Sequence, residues 1–150
     1  MQQEAGEAGA VVSRFLSHNA AALAQLGERL RAAPPSLVVT CARGSSDHAA
    51  TYAKYLVETG LGVPCVSAAF STVSLYDAPV VTSGEGALCL AISQSGRSPD
   101  MLSTVERQKA SGALVVALVN DETSPLAAMA DVVLPLRAGP EISVAATKSY

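Results

Sequence analysis

The chain has 150 residues, of which 49% are hydrophobic, 15% charged and only 4% aromatic, with a formal net charge of −3. That much apolar material excludes a disordered chain and suits one domain, or one domain with an appended helix. Lysines and arginines are scattered, with no basic stripe, which argues against nucleic-acid binding.

With no tryptophan, the core must come from Val, Leu, Ile and Ala, as in helices packed on a parallel sheet. The N-terminus has neither a basic region nor an apolar run, so no signal peptide is expected. No apolar stretch is long enough to cross a membrane. The reading is a soluble, cytoplasmic protein. Cys41, Cys65 and Cys89 are an odd set spaced by 24 residues, and they read as buried reduced thiols. With only His18 and His48 as partners, no metal site is expected.

In chain order, residues 4–32 read as a helix whose apolar face is Leu16, Ala20, Leu23, Leu26 or Gly27, and Leu30. Gly6 and Gly9 are places where a first short piece could break off, and Pro34-Pro35 ends the helix. His18 reads as a surface residue. Leu37–Cys41 is the first strand, and residues 42–47 (Ala-Arg-Gly-Ser-Ser-Asp) are the loop after it. A helix over 48–59 follows, with Ala49, Ala50, Ala53, Leu56 and Val57 inward and Gly60 as its stop. Pro64–Ser67 is the second strand, 69–76 a short helix, and 83–86 a turn. Ala87–Ile92 is the third strand and 98–110 a helix. Residues 113–119 form the fourth strand, Ser124-Pro125 opens a short helix through Met129, and 132–136 is the fifth strand. Residues 144–150 read as the first turns of a helix the chain does not finish, so the expectation is the front part of a longer protein.

Strands alternating with helices in this way imply a doubly wound α/β fold, a five-stranded parallel sheet in flavodoxin-like order preceded by an N-terminal helix. The expected site is the carboxyl edge of the strands. There the loop Ser93-Gln94-Ser95-Gly96-Arg97-Ser98 gathers three hydroxyls around a glycine at a helix start, a suitable place for an anion. Ser98 suits the N-cap, Pro99 the first helical position and Asp100 the first turn, so part of this pattern is explained by starting a helix. Ser45 and Ser46 would face it across the crevice between the adjacent first and third strands. Asp47 reads as a cap for the helix behind it, and His48 as structural or solvent-facing. Gly-x-Gly-x-x-Gly, Gly-Lys-Ser/Thr and Gly-x-Ser-x-Gly are all absent, so dinucleotide, P-loop and nucleophile-elbow readings lack support. A third candidate, 139–148, carries Glu141 and Lys148; by spacing alone these read as surface charges near a helix start.

Together, Ser93–Asp100, Gly44-Ser45-Ser46 and Gly139–Lys148 resemble, in matching order, the motifs of the sugar isomerase (SIS) domain family. The chain is similar to the isomerase half of glucosamine-6-phosphate synthase and, more closely, to two-domain relatives of the glucosamine-6-phosphate deaminase type, since the chain opens on a helix and not on an amidotransferase cysteine. The resemblance implies a helical segment over 1–36 and a first SIS domain over 37–150. It implies that Ser45, Ser46, Ser93, Gln94, Ser95 and Ser98 bind a sugar phosphate, with Cys41 at the floor. Val144 and Ala146 would approach the sugar and Glu141 would lie near the reacting end, the main base coming from outside this chain. It implies no cofactor, a homodimer, and an isomerase or deaminase activity. The alternatives are a non-catalytic sugar-phosphate sensor or another aldose–ketose isomerase. Ser45 and Ser98 stand where threonine is common and keep the hydroxyl; Ala146 stands where serine is common and loses one.

Overall fold

A computed structural model describes residues 2–79 and 86–140, with side chains from residue 6 onward. The elements are α1 (Gln2–Ala32), β1 (Leu37–Ala42), α2 (Ser45–Leu61), β2 (Cys65–Ser67), α3 (Phe70–Ser74), β3 (Ala87–Ser93), α4 (Pro99–Ala110), β4 (Leu114–Val119), α5 (Pro125–Met129) and β5 (Val132–Pro135). All five strands are parallel, in the order β2-β1-β3-β4-β5. The expected α/β architecture and strand order are both met. No described helix is long and apolar enough to cross a membrane.

The strands are apolar almost throughout because both faces are covered, and their period of two sorts the side chains. Val39, Cys41, Cys89, Ala91, Val115 and Ala117 point to one face. There they meet Phe70, Met101, Val105 and Leu126 from α3, α4 and α5 in a dense, small-residue core. Ala42 and Ile92 point to the other face, where Ala50 of α2 packs with Leu90 and Leu118 beside it. Cys41 and Cys89 are fully buried, with their sulfurs 3.8 Å apart. The hydrogen bond it shares with Cys41, then burial, pushes the Cys89 thiol far up. These thiols are packing groups, as their place in apolar strands suggested, and all three cysteines are free and buried.

Several local expectations are corrected. Helix α1 runs unbroken through Gly6 and Gly9. Its packing face is also rotated from the one read by apolar spacing: Val11 and Asn19 are buried while Leu16 is 54% exposed. The cause is a polar anchor. Asn19 Nδ2 donates to Phe15 O at 2.9 Å within the helix and to Pro135 O at 3.0 Å on β5, tying α1 to the sheet edge.

Helix α2 starts at Ser45, three residues before the expected His48, so Ser45 and Ser46 belong to its first turn and not to a loop. Gly44, at φ 59° and ψ −129°, serves as the N-cap, a backbone region in which a Cβ is disfavoured. Asp47 makes no cap; it is simply an acidic residue of the first turn. The helix passes Gly60 and ends on Gly62 in the left-handed conformation. Of its expected inward residues only Ala50 is fully buried; Leu56 is 54% exposed. His18 and His48 are both exposed, as expected.

Candidate functional site

The last residues that β1 and β3 pair with each other are Ala42 and Ile92, and β3 ends one residue later at Ser93, so the segments beginning at Arg43 and Gln94 leave the sheet side by side. From there the chain turns to β2 on one side and to β4 on the other. This is the topological switch point, where two neighbouring loops diverge and leave a crevice. A cavity of about 270 Å³ occupies it, lined by Arg43, Gly44, Ser45, Ser46, Ile92, Ser93, Gln94, Ser95, Ser98 and Met101. The two serine-rich segments singled out in the sequence therefore meet, and Ser45, Ser46, Ser93, Gln94, Ser95 and Ser98 all line one space. Cys41 lies in the strand beneath, fully buried. Glu141, Val144, Ala146 and Lys148, with the helix expected over 144–150, lie outside the described residues.

Two helices begin at this cavity and neither start is closed by an N-cap side chain. Gly44 has no side chain to offer α2, and Ser98 makes no capping hydrogen bond to α4. A helix N-terminus carries orphan N–H groups and the positive end of the backbone dipole. The contrast with α5 is informative, because Ser124-Pro125 repeats Ser98-Pro99. There Ser124 is fully buried and its Oγ accepts the Ala127 N–H at 3.3 Å. The same dipeptide thus starts two helices, one with its hydroxyl spent on the cap and the other with its hydroxyl on the cavity wall.

The loop 93–98 is held from below. Ser93 Oγ accepts the Gly96 N–H at 3.0 Å, closing a tight turn. Gly96 adopts φ 62° and its carbonyl accepts the Leu126 N–H at 3.2 Å. Ser93 can still donate its own hydroxyl proton upward, since a hydroxyl has one donor and two acceptor sites.

Charges are sorted around the loop. Arg97, although part of it, pairs with Asp121 at 2.8 Å. The Thr123 hydroxyl first, then Arg97, hold the Asp121 carboxyl down at about 2, so this partner stays ionised and engages Arg97, which is not among the residues lining the cavity. Arg43 pairs instead with Asp100 of α4. Asp100 Oδ1 also accepts the Met101 N–H at 2.9 Å, meeting one first-turn donor of that helix.

Beyond Gln94 lies a shallower recess bounded by Asn120, Asp121, Glu122, Arg137, Gly139 and Pro140. Asn120 fixes its wall, accepting the Ala138 N–H at 2.8 Å through Oδ1 and donating to Gly139 O at 2.9 Å through Nδ2. The one signal in the sequence for Asn120, as for Arg43, is a polar residue directly after an apolar strand. Another cavity, of about 240 Å³, sits at the opposite edge of the sheet. Its acid, Asp131, is already engaged by the Val115 N–H at 2.8 Å and by Lys109 at 2.9 Å, so it offers less to a ligand. Among the described residues no group of His, Cys, Asp and Glu could hold a metal ion.

Comparison with known proteins agrees with this geometry. Residues 34–150 match the SIS domain family model. The chain is 41% identical, over 113 residues, to the isomerizing glutamine–fructose-6-phosphate aminotransferase of Zymomonas mobilis, covering 75% of this chain and 18% of that protein. Among solved structures it is similar to a candidate phosphosugar isomerase from Silicibacter pomeroyi, with a TM-score of 0.91, 46% identity, and coverage of 99% of this chain and 45% of that one. It also resembles the C-terminal domain of glucosamine-fructose-6-phosphate aminotransferase from Francisella tularensis, with a TM-score of 0.77, 26% identity, and coverage of 99% and 43%. The chain therefore spans less than half of each of these relatives. On the sheet order, the two serine-rich helix starts at its switch point and the match over 34–150, the chain belongs to the SIS-domain family.

Proposed function

We propose that residues 37–150 are the first sugar-phosphate-binding domain of an amino-sugar-phosphate isomerase or deaminase, with 1–36 as its helical leader. The observation that carries this reading is the pair of helix starts without side-chain caps, opening on one cavity walled by Ser45, Ser46, Ser93, Ser95 and Ser98. Hydroxyls, a glutamine amide and N-terminal backbone amides are matched donors for a phosphate dianion. The similarity to isomerizing aminotransferases of fructose 6-phosphate supports the sugar as the remainder of the ligand.

In this reading the 6-phosphate sits in the cavity and the sugar extends past Gln94 toward the Asn120 recess. Holding the phosphate contributes to catalysis because remote binding energy positions C1 and C2 for proton transfer. The transfer itself needs a base over those carbons. Glu141 is the candidate taken from this chain, and the principal base is assigned to the rest of the protein. Exposed Tyr52, Tyr55 and Leu56 along α2 support a homodimer.

The test is direct. In the full-length protein, glucosamine 6-phosphate should be converted to fructose 6-phosphate, with ammonia released, and fructose 6-phosphate should bind where fructose does not. Tight binding without turnover would replace the enzyme by a sensor. No binding of any sugar phosphate would overturn the reading altogether, and a monomer in sedimentation would remove the homodimer.

A further inference from the structure

The serine-lined cavity has one positively charged side chain among its described lining residues, Arg43. The loop's own arginine, Arg97, is committed to Asp121 and does not line the cavity. Arg43 directly follows the last residue of β1 and precedes Gly44, so the strand and the glycine cap of α2 fix where its side chain departs. Two groups then hold the guanidinium at the mouth. Asp100 pairs with it from the first turn of α4. The buried Phe70 ring lies beneath it, 5.1 Å from ring centroid to guanidinium carbon, in cation–π contact. The Arg43 side chain nevertheless remains 58% exposed. A guanidinium has five N–H donors in a planar fork, and one carboxylate cannot occupy them all.

Asp100 engages two donors that an incoming anion could also use. It is the second residue of α4, its Oδ1 takes the Met101 N–H, and its other oxygen takes Arg43. It acts as a resident anion for the helix start and the guanidinium. A phosphate dianion carries more charge than a carboxylate and three acceptor oxygens, so it competes for both.

We propose that Arg43 is the cationic phosphate ligand of this site, pre-positioned by Asp100 and Phe70, and that it transfers hydrogen bonds from Asp100 to the phosphate on binding. Arg43 thereby sets the discrimination between phosphorylated and unphosphorylated sugar. The proposal rests on the sugar-phosphate reading above and adds a residue to it.

The experiment is calorimetric titration of the full-length protein with fructose 6-phosphate, at low salt and at about 0.5 M salt, where exposed charges are largely screened. Arg43→Gln should weaken binding roughly 10- to 100-fold, the loss of one charge-assisted contact. It should also flatten the salt dependence, because the screened charge has been removed. Arg43→Lys should recover part of the affinity. Asp100→Asn should lose far less than Arg43→Gln, since Phe70 and the amide oxygen still position the guanidinium while a carboxylate beside the dianion is gone. Arg43→Met keeps the aliphatic stem over Phe70 and supplies a second background should the glutamine variant unfold.

Affinity within threefold of the unaltered protein in either neutral variant overturns the assignment and leaves the sugar-phosphate reading standing. A loss in Asp100→Asn equal to that in Arg43→Gln also overturns it, because the pair would then be only a clamp between loops. If the unaltered protein binds no sugar phosphate, both fall together.

Discussion

Replacing Gly96 with alanine should lower folding stability by about 2–4 kcal/mol. Gly96 sits at φ 62°, where an L-residue costs about 1–2 kcal/mol. A Cβ there would also strike the Ser124 hydroxyl, lie 2.7 Å from Ser124 Cβ, and come within 3.1 Å of Val119 Cγ2. Ser124 and Val119 are fully buried, so they have little room to yield, and overpacking of this kind costs about 1–3 kcal/mol. The two penalties are separable. Ser124→Gly removes both atoms that the new methyl meets first, and glycine is only a few tenths of a kcal/mol worse than serine as an N-cap. The double variant should recover the steric part and retain the backbone part. Urea unfolding of the four proteins in the cycle measures this. A single Gly96→Ala variant within about 0.5 kcal/mol of the parent would show that the turn relaxes freely, contrary to its packing on Ser124.

Gly96 also marks where sequence reading reached its limit. The glycine was visible, and so was the loop around it, but its requirement comes from Ser124, a cap on a different helix. The fold itself was legible because each strand is a short apolar, β-branched run between turn residues, and because alternation with helices allows few topologies. What failed was local and polar. Asn19 reads as an ordinary helix-surface residue until Pro135 is placed against it, and that one bond rotates the buried face of α1 away from Leu16 and Ala20. Ser45 and Ser46 read as loop because helix starts are usually sought at a polar cap; here Gly44 supplies the cap by backbone conformation, leaving the serines in the first turn. Arg43 carries little local signal for a similar reason: its partners Asp100 and Phe70 come from two other elements. The serines lining the site were legible because each lies beside a helix start, a short-range signal, whereas the charge that completes the site is set by tertiary contacts.

Those serines have unequal jobs, and this yields the second large effect. Ser95 and Ser93 both line the cavity, yet Ser93 is 7% exposed and its Oγ accepts the Gly96 N–H. Ser93→Ala should therefore do two things. In the proposed reading it removes a phosphate donor, and it strands the Gly96 amide, a buried donor whose loss of partner costs about 1–3 kcal/mol. Ser95→Ala removes only a donor. For fructose 6-phosphate, each should weaken binding roughly 10- to 100-fold, since a hydrogen bond to a charged group is worth about 1.5–3 kcal/mol. The double variant should leave no thermal shift at millimolar ligand. Stability separates the two roles: Ser93→Ala should lower the melting temperature by several degrees, about 2–4 °C per kcal/mol in a protein of 150 residues or more, while Ser95→Ala should leave it within a degree or so. Unchanged binding in the double variant would remove the phosphate from this loop. Equal destabilisation by both single variants would instead mean that Ser95, like Ser93, is spent on holding the turn.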